Sequence, residues 1–293
     1  MRITEAMNLN SVLESESRVS ERMAQLTQMA SSGLRVSQPS DDPAAYASIV
    51  QRDAGIATMQ ARKSAATAAA GDLDLAGSVL NQATSLIQKA RALAVEEANG
   101  TQDAASRANA ATEVDSLRQQ LLALANTKGS TAYLFGGTKT GAPPFDSSGN
   151  FIGNSGVTHV EIADGVLAVS NANGAQAFGA SGGRDVLADL QTLSSALTSN
   201  DPTAIQASIG NMDASHAQIV AAQVDTGERA DRLHSASDAM GTALTQMQVA
   251  RAPVADADAA TTLSNLEAAQ TAYQAALQVN KQILSLSLAQ AGG

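Results

Sequence analysis

Few side chains in this sequence have the type and spacing that chemistry requires. They are His159, His216 and His234, the spaced pairs Asp72 and Asp74 and Asp256 and Asp258, and the adjacent Asp41 and Asp42. No HExxH, GxGxxG or GxxxxGK motif occurs, so neither a zinc hydrolase nor a phosphate-binding loop is indicated. Two adjacent carboxylates without further ligands seldom hold a cation. We therefore expect structural roles for these residues and no catalytic, cofactor-binding or metal site.

The composition narrows the classes of function further. The 293 residues carry a formal net charge of -10, which argues against a nucleic-acid partner because no basic stripe is present. The absence of cysteine excludes disulfides and thiolate chemistry. The first residues, MRITEAMNLNSVLESESRV, lack a continuous apolar core, and no run of about 18 apolar residues follows. We expect no cleavable secretory signal and no membrane span.

Apolar residues recur at alternating spacings of three and four in both halves of the chain, a pattern typical of packed helices. Long helices with narrow apolar stripes need partner helices. The fold class predicted is mainly α, an elongated antiparallel bundle or coiled coil of N- and C-terminal helices with a small inserted β-rich domain. The stripes of the two terminal helices contain Val12, Glu16, Val19, Met23, Leu26, Leu263, Leu266, Gln270, Tyr273, Leu277, Asn280 and Leu284.

The middle of the chain has a different composition. It holds all four phenylalanines and more than half of the 22 glycines. THVEI and VLAVS, separated by ADG, predict a β-hairpin in which Leu167 packs into the domain. The loop residues 142–154 are expected to tolerate deletion. The predicted segments are 1–45 (assembly helix and bend), 46–128 (helical), 129–183 (β-rich), 184–252 (long helix) and 253–293 (assembly helix).

The stretch SSGLRVSQPSDDPAAY, residues 31–46, combines the signals that end one helix and start another. Gly33 can adopt the left-handed conformation that follows a helix. Asp41 or Asp42 can cap the next helix, and Pro43 suits its first turn because the missing N–H has no helical acceptor there. We expect a bend between two helices here. Elsewhere in the chain, Pro253 is expected to mark a helix end, and a helix is expected to start after Gly71.

Several motifs resemble the hook-associated protein 3 family of bacterial flagella, within the flagellin superfamily. They are MRIT at the start, SSGLRVSQPSDDPAAYASI after the first helix, YLFGGTKTGAPPFD before the β-rich segment and AYQAALQVNKQILSLSL near the end. Flagellins share SSGLR but usually continue in a form like KDDAAG. The ending AQAGG departs from the family, which often closes on an aromatic residue or leucine.

The resemblance implies a structural subunit at the junction between hook and filament, exported through the flagellar type III pathway and located outside the cell. Its partners would be copies of itself in a ring, hook-associated protein 1, flagellin and an export chaperone at the C-terminal region. Assembly contacts are implied for Val12, Val19, Met23, Leu26, Leu263, Leu266, Tyr273, Leu277 and Leu284. The bend motif comprises Ser32, Gly33, Arg35, Ser40, Asp41, Asp42 and Pro43.

Two alternative functions and one structural question stay open from the sequence. A short flagellin would form the filament itself, and a secreted enzyme would place its residues in the glycine-rich domain. The polar stripe residues Glu16, Gln223, Gln270 and Asn280 are either devices that fix helix register or the exposed edge of a narrow stripe.

Overall fold

The computed structural model describes the backbone of residues 2–179 and 183–291, and the side chains of those residues except 2–6, 8, 9 and 283–291. The chain is 73% helical, so the prediction of a mainly α fold with a small antiparallel sheet is confirmed. The elements are α1 (Arg2–Ser32), α2 (Pro43–Glu97), α3 (Ala104–Ala125), β1 (His159–Ala163), β2 (Val166–Val169), α4 (Gly174–Phe178), α5 (Val186–Thr198), α6 (Pro202–Ala255) and α7 (Ala259–Ala291).

The chain divides into a terminal unit, residues 1–57 and 243–293, and a central unit, residues 58–242. Helices α2 and α6 contribute residues to both units. The core of the central unit is made mostly of alanine and leucine. The α2 stripe that the spacing predicted is almost fully buried, with no member more than 1% exposed: Leu73, Ala76, Leu80, Ala83, Ile87, Ala90 and Ala94. The four alanines of this stripe are small enough to let neighbouring helices approach closely.

The expectation that a helix starts after Gly71 is wrong, because α2 continues through this residue. A glycine inside a helix costs only about 1 kcal/mol relative to alanine. Burial of Ala70 and Leu73 on either side outweighs that cost. Asp72 consequently caps no helix, and its carboxylate instead accepts from the backbone N–H of Ser130 at 2.9 Å and from the Ser130 hydroxyl at 3.0 Å.

Pro253 lies inside α6, which ends two residues later at Ala255. A proline removes its own N–H and crowds the carbonyl of the preceding turn. The next turn can still close, since the N–H of Asp256 donates to the Ala252 carbonyl at 2.8 Å. The predicted helix break therefore exists, but it falls at residues 256–258.

The predicted hairpin is present, and β1 pairs with β2 in antiparallel register with His159 opposite Val169. Gly165 has a φ of 70°, as the tight turn requires. Arg62 on α2 contacts Glu161 at 3.0 Å and Asp164 at 2.7 Å, and thereby ties the hairpin to the helix.

An aromatic cluster organises the rest of the inserted segment. Phe178 meets Phe135 edge to face with ring centroids 5.2 Å apart and Phe145 at 5.9 Å, and Phe145 contacts Phe151 at 5.1 Å. Phe145 is only 3% exposed, so the segment 142–154 that was expected to tolerate deletion contributes a side chain to the core of the central unit. Leu167 is 61% exposed, and the expectation that it packs into the domain is wrong because Ala168 occupies the inward position of β2.

Candidate assembly surface

The terminal unit is built on the pairing of α1 with α7. The two helices run antiparallel. Near one end the N–H of Ala257 donates to the Gly33 carbonyl at 2.9 Å. Farther along, the Asn280 amide Nδ2 donates to Glu16 Oε2 at 2.8 Å. The first and last helices of the chain therefore cover part of each other's apolar stripe within a single copy.

The predicted assembly residues lie at different depths in this helix pair. Leu26 is buried at 8% exposure, and Leu263 is 55% exposed. The half-buried members are Val12, Val19, Met23, Leu266, Tyr273 and Leu277. Leu284 lies on the α7 backbone but outside the residues whose side chains are described. The structure thus brings most of these positions together on the α1–α7 seam, the facing stripes of the two helices.

Sequence reasoning missed two buried residues of α7. Thr262 and Ala269 are 7% and 8% exposed, whereas their neighbours Leu263 and Gln270 are exposed. The spacing 262, 266, 269, 273 keeps the same three–four alternation with a threonine and an alanine as members. The higher hydrophobicity of Leu263 favoured it as the buried residue. The rotation of α7 about its axis, which depends on its packing against α1, buries Thr262 instead.

The bend motif closes the terminal unit. Gly33 ends α1 with a φ of 70°, a conformation that glycine adopts without steric cost. The backbone N–H of Arg35 donates to the Ala255 carbonyl at 2.8 Å, and its guanidinium Nη2 donates to the Val254 carbonyl at 2.8 Å. Arg35 thus satisfies carbonyls at the C-terminal end of α6, where a cation is also favoured by the helix dipole.

Apolar and acidic residues of the motif complete the bend. Val36 packs with Ile49 and Ala255 in the small hydrophobic cluster of the terminal unit. Asp42 caps α2, accepting from the Ala45 N–H at 3.0 Å, and Pro43 is the first helical residue as predicted. The carboxylate of Asp41 accepts from the backbone N–H of Ser37 and also from Gln38, and these bonds lower its pKa.

Two further charged residues hold the helix ends of this unit. The guanidinium of Arg251 on α6 binds Asp53 on α2 through two contacts and lies 3.6 Å from Asp256. The hydrogen bond to Asp53 raises the pKa of Arg251. Asp258 precedes α7 and accepts from the N–H of Thr261 and Ala260, which lowers its pKa. Asp256 and Asp258 therefore serve helix ends.

The other side chains considered for chemistry belong to the central unit. His159 is exposed on β1, His216 contacts Gln88 at 3.0 Å, and His234 contacts Asp74 at 2.9 Å. Among the described residues, no group of three or more histidines, aspartates or glutamates could hold a metal ion. Searched over the same part of the chain, no helix has the length and apolarity needed to cross a membrane.

The chain is similar in sequence to several flagellar proteins. Residues 3–140 match the model of the bacterial flagellin N-terminal helical region, which covers just under half of the chain. The chain is 37% identical to flagellar hook-associated protein 3 of Salmonella typhimurium over 155 residues, 52% of this chain and 49% of the relative. It is 40% identical to the Escherichia coli protein of the same name over 127 residues, 43% of this chain and 40% of the relative.

The chain therefore spans about half the length or less of the curated relatives it matches. A solved structure named flagellar junction protein FlgL from Legionella pneumophila superposes with a TM-score of 0.55 at 18% identity, covering 71% of this chain and 99% of that one. At that identity the likeness concerns the fold. The resemblance predicted from the motifs is confirmed: the chain is similar to hook-associated protein 3 in sequence and to FlgL in fold, and its N-terminal part matches the flagellin helical region.

Proposed function

We propose that this chain is a structural subunit of the bacterial flagellum that forms the junction between hook and filament. The observation that carries the proposal is the 37–40% identity to hook-associated protein 3 of two organisms. The antiparallel pair of terminal helices supports it, because an assembly subunit needs long helices that can pack side by side with those of neighbouring copies. No catalytic activity is proposed.

The proposed partners follow from the same similarity. Copies of the chain would form a ring between hook-associated protein 1 and flagellin, with a chaperone at the C-terminal region before export. Export would proceed through the flagellar type III pathway to the outside of the cell. Exposed apolar side chains of the terminal unit, Met7, Leu13, Leu263 and Val279, are available for contacts between copies.

A short flagellin is the second candidate, since residues 3–140 match the flagellin N-terminal helical region. Self-assembly separates the two. The purified chain should stay unpolymerised alone and bind the tips of isolated hooks that carry hook-associated protein 1, as seen by electron microscopy and sedimentation. Long filaments grown from the chain alone would favour the flagellin role, and failure to bind hook tips would overturn the junction role.

A further inference from the structure

The turn between α2 and α3 contains one of the two Asn–Gly pairs in the sequence, Asn99 and Gly100. Both residues are exposed. Among the described residues, neither the Asn99 side-chain amide nor the backbone N–H of Gly100 has a hydrogen-bond partner. A Cβ added at Gly100 would meet nothing within 4 Å, so the space around the pair is open. The two groups are therefore free to react with each other.

An asparagine followed by a glycine can modify itself in such a setting. The Gly100 nitrogen bonds to Cγ of Asn99, ammonia leaves, and a cyclic succinimide forms. Water then opens the ring, and the sum is one water consumed and one ammonia released, with no oxidation or reduction. Opening at Cγ gives aspartate, whereas opening at the former backbone carbonyl gives isoaspartate, in which the chain runs through Cγ. Glycine favours the first step because no Cβ shields its nitrogen.

The buried Arg107 contacts the atom that isoaspartate formation would charge. Its Nη2 donates to the Asn99 carbonyl at 3.1 Å, and its Nε donates to the Glu97 carbonyl at 3.0 Å. The remaining contact is with Asn200 Oδ1 at 2.5 Å, so all three acceptors of this guanidinium are uncharged. In isoaspartate the Asn99 carbonyl oxygen belongs to a carboxylate, and the bond from Nη2 becomes an ionic, stronger one.

We propose that Asn99 is a self-modification site, which converts to aspartate and isoaspartate in the folded chain, and that Arg107 holds the carboxylate of the isoaspartate. Water is the co-reactant and no enzyme is needed. The turn and Arg107 both belong to the central unit, and the reaction is independent of the flagellar role.

The second Asn–Gly pair, Asn173 and Gly174, provides a comparison within the same chain. Asn173 Oδ1 accepts from the backbone N–H of Gln176 at 3.2 Å, which holds the side chain in place. Gly174 is buried, and a Cβ there would lie 2.2 Å from the Phe135 carbonyl oxygen. The close packing leaves the backbone little freedom to form the ring, so Asn173 should resist modification while the chain is folded.

The test follows both asparagines in the purified full chain, kept at mildly alkaline pH and sampled over time. Tryptic peptides are analysed by mass spectrometry with electron-transfer fragmentation, which distinguishes aspartate from isoaspartate, and a freshly purified sample is the blank. Residues 92–107 form one such peptide, in which Asn99 is the only asparagine. Asn99 should lose its amide at least tenfold faster than Asn173. In guanidinium chloride, which removes the fold, the two rates should become similar.

Gly100→Ala is the matched variant. Gly100 lies outside the left-handed region and has room for a Cβ, so the circular dichroism should not change. Modification of Asn99 should slow at least tenfold. Equal rates at Asn99 and Asn173 in the folded chain, or an unchanged rate in this variant, would overturn the modification site.

The role of Arg107 is tested on the aged parent chain, with the aged Gly100→Ala chain as the unmodified reference. The aged parent should contain isoaspartate at residue 99 and unfold at the same urea concentration as the reference, because Arg107 keeps its contact. A clearly lower urea midpoint, or aspartate as the sole product, would overturn this role.

Discussion

Truncation of Leu26 to alanine should loosen the terminal helix pair and leave the central unit intact. Leu26 is the most deeply buried leucine described on α1, at 8% exposure. The change removes three carbon groups at about 0.8 kcal/mol each, about nine-tenths of which are covered, so the α1–α7 pairing should lose about 2.2 kcal/mol. This free-energy loss lies near the lower end of the range found for truncating buried leucines to alanine. A low value is expected because two paired helices can move together and close the cavity.

Hydrogen exchange followed by mass spectrometry measures this loss locally. When exchange is limited by the opening equilibrium, about 2.2 kcal/mol corresponds to about 40-fold faster exchange. The acceleration should appear in peptides of both α1 and α7, because each helix covers the other. Peptides from residues 66–94 should exchange at the parent rate.

Leu13 on the same helix provides the matched control. It is 48% exposed, so the same truncation should cost about 1.2 kcal/mol and accelerate exchange only about 8-fold. An effect of Leu13→Ala equal to that of Leu26→Ala would refute the reasoning. Acceleration confined to α1, with α7 unchanged, would show that the two helices do not stabilise each other.

Three further predictions concern binding to hook tips, the pH dependence of stability and the aromatic cluster of the inserted segment. Leu26→Asp or Leu277→Asp should leave a folded central unit by circular dichroism but abolish binding to hook tips, since an aspartate buried without a partner costs several kcal/mol; normal tip binding would argue against an assembly role for the seam. The pKa of Asp258 is lower in the folded chain than its ordinary value of 3.8, which applies to the unfolded chain. The ionised carboxylate therefore stabilises the fold at pH values above the unfolded pKa. This contribution is lost as the pH falls through the lower pKa of the folded chain. Asp258→Asn should therefore be less stable than the parent at pH 7 and approach it below about pH 4 in urea titrations, because an ordinary aspartate titrates near 3.9; a gap that stays constant with pH would contradict this. Phe145→Ala should destabilise the central unit by about 3–5 kcal/mol, as for other buried phenylalanines, and a loss under about 1 kcal/mol in the same titrations would show that the aromatic cluster is dispensable.

The buried stripes of the long helices could be predicted from sequence because helix geometry alone determines them. The α2 stripe from Leu73 to Ala94 followed from its three–four spacing, and all of its predicted members are buried. Local chemistry likewise predicted the Gly33 helix end, a cap at Asp41 or Asp42 and the Pro43 start. These features depend on neighbours within a few residues, so a pattern in the chain is enough to identify them.

Features that depend on tertiary partners could not be predicted. The phase of α7 is set by its contact with α1, and a window of sequence gives no reason to prefer Thr262 over Leu263. Asp72 was interpreted as a helix cap because it follows Gly71. Its actual partner, Ser130, lies 58 residues away in the chain and could not be identified from the local sequence. The bond between Glu16 and Asn280 joins residues 264 apart, so the sequence left open whether these polar residues fix register or lie at an exposed edge.

The most direct test of the junction role is the position of the chain on the flagellum. Gold-labelled antibody against the chain should be imaged by electron microscopy on intact flagella from cells that produce it, with a strain lacking its gene as the blank. The account predicts label confined to a short zone between hook and filament. Label along the whole filament would identify a flagellin, and label absent from flagella would contradict a structural role in this organelle.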